Sequence, residues 1–295
     1  MSQGTPAAEI EVAPSLAREL LADQHPDLVD RPITKARSGW DNVMLRLGDD
    51  LALRFPRRTL AADLLVNEQR FLPSLAARLP IATSVPLRIG RPGRDYPWRW
   101  SVVPWIPGEP AGPSGLSADA AEPFAEFLRA LHVPAPEDAP VNPYRGVPLA
   151  VRQTMLEARL RDLDDRGAPV SAAHRDVWVR ALEAPLDLPR TWLHGDLHPA
   201  NILVEGGRLA GVIDWGDLCA GDAATDLAAL WLLFDDATHR ERALASYGGV
   251  TTATRDRARG WAFFFAVVLL DSGLVDGNAA FIDTGRDALR RLASP

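Results

Sequence analysis

A chain of 295 residues with 47% hydrophobic and 24% charged side chains is long enough for two packed cores and has the balance of a globular protein. Its net charge of −7 argues against a nucleic-acid binder held by phosphate contacts, and its single cysteine, Cys219, excludes an internal disulfide framework. Neither a secretory signal nor an uninterrupted apolar run of about 18 residues is evident, so a cytoplasmic protein without a membrane partner is expected.

Residues 1–13 read as a loose tail and Pro14 to Ala22 as a short helix, with Leu16, Leu20 and Leu21 at helical spacing. Val43, Leu45 and Leu47 alternate before the turn Gly48-Asp49-Asp50, and Leu51, Leu53 and Phe55 alternate after it, which predicts a hairpin with one buried face. Ala61 to Leu79 has helical spacing, and Pro73 should end or kink that helix. Val85 to Ile89 and Trp100 to Val103 read as strands around the turn Gly90-Arg91-Pro92-Gly93. Pro104 to Pro113 holds four prolines and two glycines, an irregular connector that marks a boundary between lobes. Beyond it, Ser117 reads as the N-cap of a helix running to His132. Helices are expected over Leu149 to Leu163 and Ala172 to Leu182, then a strand pair of Trp192-Leu193 with Leu209 to Ile213, then helices from Ala223 to the end.

Charge divides along the chain. Arg31 to Arg99 carries about thirteen basic and six acidic side chains, and Thr191 to Arg240 about eight acidic and two basic. That asymmetry suits an anionic ligand in the first part and a metal or cationic ligand in the second; two solvated surfaces of opposite sign would read the same way.

The densest chemistry lies in His194-Gly195-Asp196-Leu197-His198-Pro199-Ala200-Asn201, followed by Asp214-Trp215-Gly216. Pro199 excludes a continuous helix, so this is a loop leaving the strand at Trp192-Leu193. A hairpin from Ile202 to Ile213, turning at Gly206-Gly207, would bring Asn201 and Asp214 together near Asp196. One carboxylate and one amide oxygen suffice for Mg²⁺, which keeps part of its water, while a separate carboxylate can orient an attacking hydroxyl and take its proton. A zinc site on His194 and His198 is disfavoured, because Pro199 denies them a helical i, i+4 pairing and no further His or Cys cluster exists.

These residues resemble the catalytic and metal loops of the aminoglycoside phosphotransferase family, within the protein-kinase-like superfamily. The resemblance runs from about Ile33 to the C-terminus. It implies Asp196 as catalytic base, Asn201 and Asp214 as Mg²⁺ ligands, ATP or GTP as phosphoryl donor, and Asp226 as a buried brace for the catalytic loop. It also implies a two-lobed α+β fold: an antiparallel-sheet nucleotide lobe over residues 1–103, a hinge over 104–109 and a mainly helical catalytic and substrate-binding lobe over 110–295.

The nucleotide lobe departs from the pattern. Ser38-Gly39-Trp40-Asp41-Asn42 stands where a glycine-rich phosphate loop would be, with one glycine and with Ser38 and Asn42 as polar donors. The expected strand lysine is replaced by Arg54, and Arg54 to Arg58 resembles the corresponding string of macrolide kinases. Strand alternation alone would also allow Arg54 on a solvated face. Glu68 is the candidate partner of Arg54, and Val103 and Trp105 match the linker whose main chain contacts the purine. The acceptor implied is a small molecule bearing a hydroxyl: an aminoglycoside first, with a macrolide, an amino alcohol or sugar metabolite, or a non-catalytic nucleotide-binding role as alternatives. Asp217, Asp235 and Asp236 are further acidic residues that could steer a polycation, the last two placed at a helix end.

Overall fold

The computed structural model describes residues 7–112 and 115–293, without the side chains of residues 36–38. It has a mixed α+β architecture with two hydrophobic cores. The first core starts within the expected tail: Val12 is buried in it, and the Glu9 N–H donates to the Arg57 carbonyl at 2.8 Å. Helix α1 (Pro14–Gln24) opens on proline, which suits a first helical position, and buries Ala17, Leu20 and Leu21.

Strands β1 (Ile33–Ser38), β2 (Asn42–Leu47) and β3 (Leu51–Pro56) run antiparallel, with Val43 opposite Phe55 and Leu45 opposite Leu53. Helix α2 (Thr59–Ala76) contains Pro73 and ends only three residues beyond it. In that last turn the proline costs one bond, to the carbonyl four residues earlier, so it neither splits nor shortens the helix before the turn is complete. Next come β4 (Ala82–Thr83), β5 (Arg88–Gly90) and β6 (Trp100–Pro104). The single strand expected over Val85 to Ile89 is therefore absent; Pro86, without an N–H, lies in the gap between β4 and β5. The first sheet has the order β1-β2-β3-β6-β5. At its end Gly90 lies flat under Trp100, where a Cβ would fall 1.9 Å from the indole. Phe55 stacks on the same indole with centroids 5.1 Å apart.

The proline-rich connector is not wholly irregular. It includes β7 (Glu109–Pro110), paired with the strand that follows the loop 194–201; Pro113 lies outside the described residues. One 3₁₀ turn, Ala118–Ala120, precedes α3 (Ala121–Leu131), and Ser117 caps neither, because its hydroxyl donates to the Gly207 carbonyl at 3.3 Å. The remaining elements are α4 (Gln153–Asp165), α5 (Ala172–Glu183), β8 (Thr191–Leu193), β9 (Ile202–Glu205), β10 (Arg208–Val212), β11 (Cys219–Gly221), α6 (Ala224–Leu227), α7 (Ala229–Leu233), α8 (Ala237–Tyr247), α9 (Thr252–Asp276) and α10 (Ala279–Ala293). The expected pairing of β8 with β10 does not form. β8 pairs with β11, while β10 pairs with β9 and, in parallel, with β4. Alternation identifies a strand but says nothing of its neighbour when the contact is long-range.

Helix α9 is long and apolar enough to cross a membrane by length and composition, yet it runs through the second core with 78% of its most apolar window buried. The two cores are not divided by one cut in the sequence. Leu72 and Leu75 of α2, with Leu79, Ile81 and Val85, pack in the second core before the chain returns for β5 and β6.

Candidate active site

Strand β8 delivers the loop 194–201 from the middle of the second core. The buried Asp226 at α6 accepts the N–H groups of His194 (2.7 Å) and Gly195 (2.8 Å), and its carboxylate also lies 3.2 Å from His132 Nε2. Gly195 has φ 85°, and a Cβ there would fall 2.7 Å from the Asp217 carbonyl, so the bend needs glycine. The His194 ring is buried between the loop and Trp215. Its Nε2 lies 3.1 Å from the Ile213 carbonyl and its Nδ1 accepts the Asp196 N–H at 3.2 Å, which assigns the proton to Nε2. Burial pushes its pKa down despite the neighbouring aspartates, favouring the neutral ring. His198 Nδ1 accepts the Ala200 N–H at 3.3 Å and starts the short turn Pro199–Asn201. Both histidines are thus braces of the loop.

Asp196 is gripped from two sides. Arg145 Nη2 donates to Oδ1 at 3.1 Å, and His198 Nε2 lies 3.4 Å from Oδ2. Asn201 Nδ2 donates to the Asp196 carbonyl at 2.9 Å. Burial would raise the pKa of Asp196, but the His198 ring and the Arg145 guanidinium outweigh it and hold the carboxyl well below the usual range. Arg145 also reaches Asp217 at 3.7 Å, and Asn142 Nδ2 donates to Asp217 at 2.6 Å. Burial, opposed by Arg145 and aided by the charge of Asp196, pushes Asp217 up to about 6. Two carboxylates share one guanidinium.

Asp214 has φ 62° and ψ 68°, a left-handed conformation that aspartate tolerates better than most residues. Its Oδ1 accepts from Arg54 Nη2 at 2.6 Å, and Arg54 Nη1 donates to Glu68 Oε2 at 2.6 Å. Arg54 is only 4% exposed, which removes the solvated-face alternative. A Cβ at Gly216 would stand 3.3 Å from Arg54 Nη2, so glycine leaves room for the guanidinium. Asn42 is buried too. With its amide oxygen turned to Arg54 it accepts from Nη2 at 3.0 Å and Nε at 3.3 Å. Its amide oxygen therefore orders the guanidinium. The other expected donor, the Ser38 side chain, lies outside the described residues. Glu68 Oε1 is buried with no hydrogen-bond partner. Burial, only partly offset by Arg54 and reinforced by the charge of Asp214, pushes Glu68 up to about 7. The later arginines of the string anchor the loop: Arg57 Nη1 donates to the Gly39 carbonyl (3.1 Å) and Arg58 Nε to Asp41 Oδ1 (2.7 Å).

The linker differs from expectation. The Trp105 N–H donates to the Asp50 carbonyl at 2.7 Å and is not available to a purine. Val103 is opposite Ala52 and, two residues from Trp105 on the same strand edge, faces β3 as well. By the same alternation the Pro104 carbonyl faces away from β3. The Trp105 ring is covered by Arg46, whose Cζ lies 4.7 Å from its centroid.

The Ile213 N–H donates to the Asn201 carbonyl at 3.0 Å, which sets Asn201 beside Asp214. Since Asn201 Nδ2 is held by Asp196, its Oδ1 is the amide atom left for a cation. Among the described residues no group of three or more His, Cys, Asp or Glu side chains could hold a metal by itself. A single carboxylate with one amide oxygen fits Mg²⁺ completed by phosphate and water, and fits a zinc ion poorly. A small, largely apolar cavity of about 130 Å³ adjoins the loop, lined by His198, Pro199, Leu269, Phe281 and Thr284 among others.

Asp235 and Asp236 do not act as free negative charge. Asp235 pairs with Arg290 and Arg291, and Asp236 Oδ1 accepts the Thr238 N–H at 2.7 Å as the N-cap of α8. Asp236 starts a helix instead of ending one, where its charge is favourable. Arg145 and Asn142, which reach Asp196 and Asp217, were not legible in the sequence.

A sheet lobe contributing a buried Arg–Glu pair and a helical lobe contributing a His-Gly-Asp loop define a kinase-like phosphotransferase. Residues 32–261 match the model of the phosphotransferase enzyme family, and the chain belongs to that family. It is 30% identical over 229 residues to the viomycin phosphotransferase of Streptomyces vinaceus, covering 71% of this chain and 77% of that protein. It is 35% identical over 145 residues to a homoserine kinase of a Chelativorans strain, covering 43% of this chain and 44% of that one. Among solved structures, the GDP and kanamycin complex of an aminoglycoside phosphotransferase shares the fold at a TM-score of 0.68 and 21% identity, over 94% of this chain and 97% of that one.

Proposed function

We propose that the chain transfers the γ-phosphoryl group of ATP or GTP to a hydroxyl of a small molecule, with Asp196 orienting that hydroxyl and accepting its proton. The supporting observation is an aspartate held ionised by Arg145 and His198 and locked to Asn201, across a cleft from a buried arginine. Asn201 Oδ1 and Asp214 would hold Mg²⁺, which when bound would neutralise charge on the phosphates. Arg54 offers its fork to the same phosphates, which compete with Asp214 for Nη2. The purine meets the linker at the Pro104 carbonyl rather than at Val103 or Trp105. In this reading the nucleotide lobe covers residues 1–103 and the catalytic lobe residues 110–295, hinged over 104–109.

The acceptor reading has two forms. The viomycin and aminoglycoside relatives favour an antibiotic, aminoglycoside-like as the sequence suggested. The positive charge beside Asp196, and the loss of Asp235 and Asp236 as steering groups, favour a smaller hydroxyl metabolite. Incubation with ATP or GTP and a panel of acceptors, read by product mass, tests the assignment. A phosphorylated acceptor that vanishes with Asp196→Asn supports it, and undiminished product from that variant refutes the role of Asp196.

A further inference from the structure

Arg152 is a buried cation without an anion. It closes the 3₁₀ turn Leu149–Arg152 ahead of α4 and is 5% exposed. Its Nη2 reaches the Met155 sulfur at 2.9 Å, its Nε has no partner, and among the described residues no carboxylate pairs with it. The neighbouring arginines are all answered: Arg145 by Asp196 and Asp217, Arg159 and Arg166 by Asp271. Burial, then the charge of Arg145 and of Arg159, lower the pKa of Arg152. Buried charges are costly unless paired, so an arginine left in this state points to an absent partner.

The surroundings say what that partner is. The Arg152 Cζ lies 5.3 Å from the Tyr144 ring centroid and 5.1 Å from that of Phe264. Aromatic rings stabilise the guanidinium through its π-cloud contacts and leave its edge N–H donors needing acceptors in the plane, the geometry a carboxylate supplies. Tyr144 is half-exposed, so one of the two rings against the guanidinium meets solvent. Its chain neighbour Arg145 stands over Phe265, the ring next to Phe264 on α9 with centroids 6.0 Å apart. Arg145 takes Asp196 Oδ1, whereas His198 and Asn201 approach Oδ2. Arg152 is thus linked through the adjacent rings of Phe264 and Phe265 to the guanidinium that holds Asp196, close enough to the proposed base for one small acceptor to meet both.

We propose that Arg152 receives a carboxylate of the phosphoryl acceptor, so that the acceptor is a small hydroxy acid or hydroxy amino acid rather than a polycationic sugar. This rests on the kinase reading above. The test uses the full chain with Mg-ATP and Mg-GTP, and L-homoserine, L-threonine and D-glycerate each matched with its own amide, with kanamycin as the polycation. At least one acid should exceed its amide in kcat/KM by about 10- to 100-fold, the worth of a charge-assisted hydrogen-bond pair. Arg152→Met should abolish that preference through KM, leaving nucleotide affinity and the rate with the amide unchanged. Because a lone buried cation is being removed, the variant's Tm without ligand should not fall; a fall of several degrees would make Arg152 a packing pillar and overturn the assignment. Equal use of acids and amides, or best use of kanamycin, overturns it while leaving the kinase reading intact. Calorimetric titration of the same acids separates the two: binding lost in Arg152→Met without turnover by the wild type would refute the kinase reading and uphold the carboxylate site. Absence of both binding and preference refutes the site.

Discussion

The two walls of the cleft hold their charged groups by different means. The loop 194–201 is tied to Asp226 through two main-chain N–H groups, with His132 behind the carboxylate, so the path of the chain up to Asp196 is set by backbone before Arg145 and His198 hold its side chain. Arg54 is held only by side chains, Glu68, Asn42 and Asp214, and one of these carboxylates keeps an unpartnered buried oxygen. A chain path fixed through the backbone suits the proposed base, whose position would decide the reaction; an arginine held by exchangeable partners suits the proposed phosphate clamp, which would have to let a phosphate in.

If this contrast is right, the largest effect falls on the base itself. Asp196→Asn should lower kcat by roughly 10²–10⁴ while nucleotide Kd stays within a factor of about two; single-turnover rates and nucleotide titration measure both. Asp226→Ala comes next. It strands two buried N–H donors and should cost about 2–5 kcal/mol of unfolding free energy, with kcat falling too, as read by urea denaturation and initial rates. A protein of unchanged stability would mean that the loop is held some other way.

On the exchangeable wall the effects are smaller and coupled. Arg54→Ala should weaken nucleotide binding by about 10- to 100-fold, and Glu68→Ala by less. The double variant should be no worse than Arg54→Ala, because Glu68 acts through the arginine. Additive losses in equilibrium titrations would show instead that Glu68 touches the nucleotide independently.

The same contrast separates what was readable in the sequence from what was not. Asp196, Asn201 and Asp214 sit in a short stretch whose proline and glycines dictate a loop and a hairpin, so their convergence follows from local chain geometry. The Arg54 hairpin was equally local, through the alternation of β2 and β3. Arg145 lies fifty-one positions before Asp196 in Asn142-Pro-Tyr-Arg-Gly, with neither periodicity nor spacing to mark it. The partner of β8, the strand hidden in the connector and the Asp50 bond that removes the Trp105 donor are likewise products of long-range packing. Asp235 read as free charge because its partners, Arg290 and Arg291, are more than fifty residues away on α10.

The last test, read in stability and not in activity, asks whether Glu68 is ionised at all. Burial and the charge of Asp214 raise its pKa from 4.5 to about 7, more than Arg54 lowers it. Between those values the folded protein keeps a proton that the unfolded chain has released, so the folded state binds more protons and stability falls as pH rises. Below about pH 4.5 both states are protonated and Glu68 imposes no cost; above about pH 7 the cost levels off at roughly 3 kcal/mol. Glu68→Gln cannot titrate, so the wild type minus variant difference in unfolding free energy should decline from pH 4.5 to pH 7.5, and the variant's own curve isolates every other group. A difference that is flat over this range and falls away only below about pH 4.5 would mean that Arg54 holds Glu68 ionised. The pair would then be an ordinary salt bridge, and the wall that admits the nucleotide would be as firmly charged as the one that holds the base.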